Sequence, residues 1–163
     1  IFYTYTAIPQ SIGADSIPYI TIMQVNKVLT KEPVFVEDND AKDYGTDPIE
    51  ISGQSISKAH LNLRYTFLNG GNHLIPHSIS LLIAKDAQPD ARGYLSAELR
   101  HDAADDLQLN ANSGYVSFTL ENMPGFKEGT LKGFKIKTKT IKNETDIVEV
   151  TMNNNRKSMN FNI

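Results

Sequence analysis

No cysteine and no tryptophan occur anywhere in this chain. The first absence removes disulfides, thiol catalysis and cysteine-ligated zinc together, although it fixes no compartment, because disulfide-free exported proteins are common. The second removes the side chain with the largest face for stacking on a sugar. Long apolar runs are missing too: the longest, Ile79 to Ala84, is far too short to span a bilayer, so no membrane span is expected. There is no basic arm. The net charge is -3 and the lysines of 132–142 are spaced rather than clustered, which excludes bulk nucleic acid as a partner and a genome-packaging coat protein as a role. The chain opens on Ile1 rather than Met and shows no signal-peptide pattern, from which a processed or trimmed product is expected.

Catalytic signatures are equally scarce. Gly53-Gln54-Ser55-Ile56-Ser57 lacks the second glycine of a nucleophile elbow, and its surroundings read as a strand. Neither a phosphate loop nor a dinucleotide fingerprint is present. The expectation is therefore no enzyme and no resident cofactor, with calcium the one ion that the acidic loops could attract.

What the chain does carry is alternation. Tyr115 to Leu120 places Val116, Phe118 and Leu120 on one face, and Phe134 to Ile141 places Lys135, Lys137 and Lys139 on the other. A period of two marks a strand with one buried and one wet face, and the two stretches read as a hairpin-like pair. The same pattern appears at Ile1–Ile8 and at His60–Leu68, where Leu61, Leu63, Tyr65 and Phe67 share a face. Tyr19–Thr30, apolar on both faces, reads as a central strand. Further strands are expected at 33–36, 49–57, 73–84, 107–111, 146–152 and 158–163. Asn69-Gly70-Gly71-Asn72 is a strong hairpin turn between 60–68 and 73–84. Residues 95–106 mix strand alternation with helix formers, which leaves room for one short helix there. Short strands separated by turn signals predict an all-β fold: a single antiparallel β-sandwich over 1–163, jelly-roll or Ig-like, of about ten strands.

Candidate sites follow from residue type and spacing. Asp38, Asp40 and Asp43 form a calcium-friendly acidic loop, although Lys42 and Asp43 stand where an EF-hand needs an oxygen ligand and a glycine. Asp102, Asp105 and Asp106 cluster beside His101. His73 and His77 lie four apart, but Pro76 between them argues against a helix, and surface roles outweigh zinc. Tyr44 and Tyr94 on loops are the residues for stacking a glycan. Both ends of the chain are alternating apolar strands, so Ile1, Tyr3, Tyr5, Phe161 and Ile163 are interface residues for strand exchange, with residues 1–8 shared with a neighbouring subunit. The expected function is a non-catalytic structural or adhesive subunit of an extracellular, cell-surface or virion assembly (a pilus, filament or virus particle), self-associating or joining homologous subunits. The alternative is a carbohydrate-binding module assisted by calcium.

Overall fold

A computed structural model describes residues 2–7, 20–37, 43–71 and 75–152, with the backbone pairing alone for 2–7, 20–22, 24 and 26. Its core is built from rows of alternate residues. Along β6 (His60–Asn69), Leu61, Leu63 and Tyr65 are buried while Asn62, Arg64 and Thr66 point away. β8 (Tyr94–Asp102) buries Leu95, Ala97, Leu99 and then His101; β10 (Gly133–Lys139) buries Phe134, Ile136 and Thr138. Each large apolar side chain removed from water this way contributes about 1.5–3 kcal/mol. Thr138 sits in an otherwise apolar row because its hydroxyl donates to the Ile49 carbonyl on the opposing sheet, so the polar group is buried with its partner.

Two sheets enclose this core. The four-stranded sheet runs β3 (Leu29–Lys31), β9 (Asn110–Thr119), β6, β5 (Ile49–Ser57). The five-stranded sheet runs β11 (Thr145–Thr151), β10, β8, β7 (Ser78–Ala84), β4 (Val34–Val36). A separate antiparallel pair joins β1 (Phe2–Ala7) to β2 (Ile20–Asn26). The all-β sandwich expected from the alternation is what the chain forms.

Several expected pairings are corrected. β9 and β10 do not form a hairpin: β9 lies beside β6, while β10 lies in the other sheet between β8 and β11. The 120–132 connection carries the chain across the core instead. Likewise, the glycines at 70–71 do not close a hairpin, since β6 and β7 belong to opposite sheets. Consecutive antiparallel pairs with short turns are β5–β6, turning through Lys58 and Ala59 with Lys58 at φ 51°, and β10–β11, turning through residues 140–144, while β7 pairs with β8 across a longer connection. Nor is the sandwich wholly antiparallel. β8–β10, β3–β9 and β4–β7 run parallel, each pair joined by chain that passes through the other sheet.

Residues 20–31 are not one central strand but β2 and β3 in different sheets, with Met23 and Val25 exposed. Residues 95–102 are strand rather than helix. The strand expected from Leu107 begins only at Asn110, and Leu107 and Leu109 lie exposed on the preceding loop.

Candidate functional site

Two polar groupings stand out, one closed and one open. The closed one continues the inward row of β8. His101 occupies the next core-facing position after Leu99 and is 1% exposed. Its Nδ1 donates to the Pro48 carbonyl at 3.0 Å, and its Nε2 lies 2.9 Å from Nδ1 of His77. His77 Nε2 in turn lies 3.2 Å from Asp106 Oδ2. Phe67 packs edge-on against both imidazoles. Asp106 also accepts from the Gly70 N–H at 2.8 Å and the Leu107 N–H at 2.9 Å, tying the loop after β6 to the loop after β8.

Counting protons shows what this chain of bonds requires. His101 must keep hydrogen on Nδ1 to serve Pro48, and His77 must keep one on Nε2 to serve the carboxylate. One more sits between the rings. Burial pushes the His101 imidazole below its ordinary value, against the Pro48 hydrogen bond, and the neighbouring His77 adds to the effect. The Gly70 N–H first, then His77 and the Leu107 N–H, hold the Asp106 carboxyl below the usual carboxylate range despite its burial. The gap of 2.9 Å between the facing ring nitrogens is that of a hydrogen bond. Every ring nitrogen is engaged, and the cluster acts as a fastening.

The open grouping lies on the outer face of the four-stranded sheet. Alternation sends Asn62 and Arg64 of β6 outward, and register places Tyr115 opposite Arg64 and Ser117 opposite Asn62. These residues, with Val28, Thr30, Ser57 and His60 at the margins, line a groove of about 500 Å³. The Ser117 hydroxyl donates to Asn62 Oδ1 at 3.0 Å and Asn62 Nδ2 donates to Ser57 Oγ at 3.0 Å, so the amide is held at a fixed orientation. Arg64 lies over the Tyr115 ring, 5.9 Å from its centroid. On β5 a register shift between Ile51 and Gly53 puts Gly53 opposite Arg64, where the absence of a side chain keeps the groove open beside the guanidinium. Among the described residues, no carboxylate lines it.

The sequence-expected residues fall elsewhere. Asp38, Asp40, His73, Ile1, Phe161 and Ile163 lie outside the described residues. Asp43 is exposed in a short turn, and among the described residues no group of three or more His, Asp or Glu is placed to hold a metal. Tyr3 and Tyr5 lie on β1, opposite Val25 and Ile22 of β2. Tyr94 is buried, with its hydroxyl 2.7 Å from Thr151 Oγ1 and the Arg92 guanidinium over its ring at 4.7 Å. Tyr44 adjoins Gly45, which packs against His101 and Asp102 at the far end of β8 from Tyr94. A strand of that length separates its ends by about 26 Å, so the two tyrosines cannot sandwich one small ligand.

His101 was findable from its two-residue spacing after Leu95, Ala97 and Leu99, and Arg64 from its place between Leu63 and Tyr65. The groove and the His77 contact depend on pairing between strands far apart in sequence.

Residues 32–152 match a family model described as NigD-like C-terminal beta sandwich domain. No curated protein matches the chain. Among solved structures, a protein of unknown function from Bacteroides vulgatus is 19% identical with a TM-score of 0.69, the match covering 92% of this chain and 69% of that one. A NigD-like immunity protein from Bacteroides caccae is 16% identical with a TM-score of 0.62, covering 90% and 69%. A protein from Bacteroides fragilis described as a lipoprotein is 11% identical with a TM-score of 0.60, covering 82% and 75%. At these identities the likeness shows the fold. Among the described residues no helix is long and apolar enough to cross a membrane. The match to a NigD-like sandwich overturns the expectation of a pilus, filament or virion subunit, and with it the carbohydrate-binding alternative.

Proposed function

This chain belongs to the NigD-like C-terminal beta sandwich family over residues 32–152, and from that premise we propose that it is a non-catalytic recognition domain of the bacterial cell envelope. It binds a protein partner in the manner of an immunity protein and turns over no substrate. The observation that carries this reading is the division of polar groups between closed and open. The His101–His77–Asp106 cluster has the residue types of acid–base chemistry, but its groups are spent on one another and on Pro48, Gly70 and Leu107. The outer groove has donors to spare and no carboxylate among its described lining, as suits a surface that recognises and does not react. Kinship of fold with an immunity protein and with a protein described as a lipoprotein supports the partner type and the envelope location.

Expressing the chain, targeted to the envelope, in bacteria that lack it should raise their survival against antibacterial protein fractions of competing strains. Equal killing with and without it, across all fractions, would overturn the reading. Recovery in the envelope fraction tests the location.

A further inference from the structure

We propose that the groove on the outer face of the four-stranded sheet is the partner-binding surface, and that what it takes is an acidic, extended segment of a protein, with a carboxylate seated on Arg64. This rests on the partner-binding reading above and names the surface and the partner's chemistry.

The argument begins with the arginines. Arg92 meets Glu149 through two guanidinium contacts of 3.1 and 3.4 Å, and Arg100 lies 3.1 Å from Glu98. The Arg92 fork is filled from within the chain, and Arg100 has Glu98 beside its Nε and donates from Nη1 to the Gly45 carbonyl at 3.1 Å. Arg64 has no hydrogen bond and no ion pair to any described residue, although the chain has more acids than bases. Glu50, opposite Thr66 in the neighbouring row of the same sheet, makes no ion pair with it. A guanidinium offers five N–H donors in a planar fork that matches a carboxylate, and Tyr115 beneath it restrains the plane of that fork.

Around the cation the groove is neutral and hydrogen-bonding. Asn62, held by Ser57 and Ser117, offers an amide already oriented, and the hydroxyls of Ser55 and Thr30 extend the row across the sheet. Such a row suits the peptide groups and polar side chains of an extended segment. The source is a protein rather than a free small acid because the groove is open along its length. A small ligand gains its affinity from enclosure on most of its surface, which an open sheet face does not give.

Gly53 supplies the discriminating variant. A Cβ built there meets Arg64 Cβ at 3.5 Å, an ordinary contact, so Gly53→Glu folds, fills the space beside Arg64 and supplies the missing carboxylate from within. The test uses the whole ¹⁵N-labelled chain and three probes: a capped octapeptide of alternating glutamate and serine, its glutamine counterpart, and glutarate. The glutamate peptide should move the amides of Gly53, Arg64, Tyr115 and Ser117. It should bind at least tenfold more weakly to Gly53→Glu and to Arg64→Gln, and outbind the glutamine peptide and glutarate tenfold. Shifts centred on Lys135 and Lys137, or affinity unchanged in both variants, would overturn the inference. Glutarate binding as well as the peptide would overturn the commitment to a protein segment. Protection of bacteria with no peptide response in the groove would sink the inference alone; a groove that binds the peptide in a chain that protects nothing would sink the immunity reading alone.

Discussion

The outer faces of the two sheets solve the same problem in opposite ways. On the five-stranded sheet nearly every cation meets an acid of its own chain. Lys135 lies 2.6 Å from Asp90, Arg92 is paired with Glu149, and Lys137 and Arg100 share Glu98 at 3.4 and 3.1 Å. Asp90 is held down at about 2, first by Lys135 and then by the Tyr94 N–H. On the four-stranded sheet the groove around Arg64 is lined by Asn62 and hydroxyls with no acid among its described residues, and Glu50 on the same face makes no ion pair with Arg64. A charged face that closes on itself has little left to offer a partner. One that leaves a guanidinium unmatched keeps its binding capacity for something outside the chain. Charge totals do not reveal this difference, because it depends on which strand each charge faces.

The contrast presumes one core beneath both faces, and the largest effects test that. Phe118→Ala on the four-stranded side and Phe134→Ala on the five-stranded side should each cost about 3–5 kcal/mol in a single denaturant transition. Two separate transitions would show the faces to be independent units.

The next test sets two strand glycines of the four-stranded sheet against each other. A Cβ at Gly114 would lie 2.4 Å from the Tyr65 hydroxyl, so Gly114→Ala should lose about 1–3 kcal/mol by forcing a packed ring aside. Gly53→Ala, on the open side of the sheet, should stay within about 0.5 kcal/mol of the parent, as an uncrowded surface change does. Equal losses would mean that the groove is less open than its geometry implies.

Acid gives a third test, at the edge shared by both sheets. His101 sits below its ordinary value when folded, so the unfolded chain takes up a proton the native state refuses. Its contribution is present at neutral pH and is lost as pH falls below about 6.5. Asp106, also depressed, removes a second increment as pH falls below about 4. His101→Leu should lose about 1–3 kcal/mol at pH 7 by orphaning Pro48 O and His77, and should flatten the fall in melting temperature between pH 7 and 5. An unchanged slope would assign the acid sensitivity to other groups.

The smallest effects sharpen the comparison most. Lys137→Met on the paired face should change stability by about 0.5 kcal/mol or less, with the difference fading in high salt. Arg64→Gln should change stability by a similarly small amount, about 0.5 kcal/mol at most, having only its packing over Tyr115 to lose among the described residues. A larger loss in urea titration would reveal an internal acceptor for Arg64.

Much of the fold was legible because alternation reports burial directly. The inward rows Leu61–Leu63–Tyr65, Val116–Phe118 and Phe134–Ile136 were all readable from spacing. Alternation is silent about the neighbour, however: Phe118 and Phe134 look alike in sequence whether their strands share a sheet or face each other across a core. The misread β9–β10 and β6–β7 hairpins both come from that silence. The candidate site suffered more. Tyr44 and Tyr94 stand out by residue type alone, while Arg64 matters because Tyr115 and Gly53, neither an acid, stand opposite it, which is visible only once the register is known. His77 and Asp106 meet His101 through loops whose paths no local pattern specifies.

The parallel pairs also constrain how the chain reaches its native state. β5 and β6 adjoin through two residues and can zip first. β3 must wait, because Leu29 pairs with Val116 and Lys31 with Phe118, and closing so long a stretch gives no return until β9 is already seated on β6. Sandwiches dominated by such distant pairings fold on the order of milliseconds to seconds, with late-arriving edges. β3 is therefore expected to be the last strand laid down, which stopped-flow refolding with a probe at Leu29 would show as the slowest phase. Until it arrives, the β9 edge stands open as a template for another nascent chain. On this side of the four-stranded sheet, protection against misassembly depends on a three-residue strand.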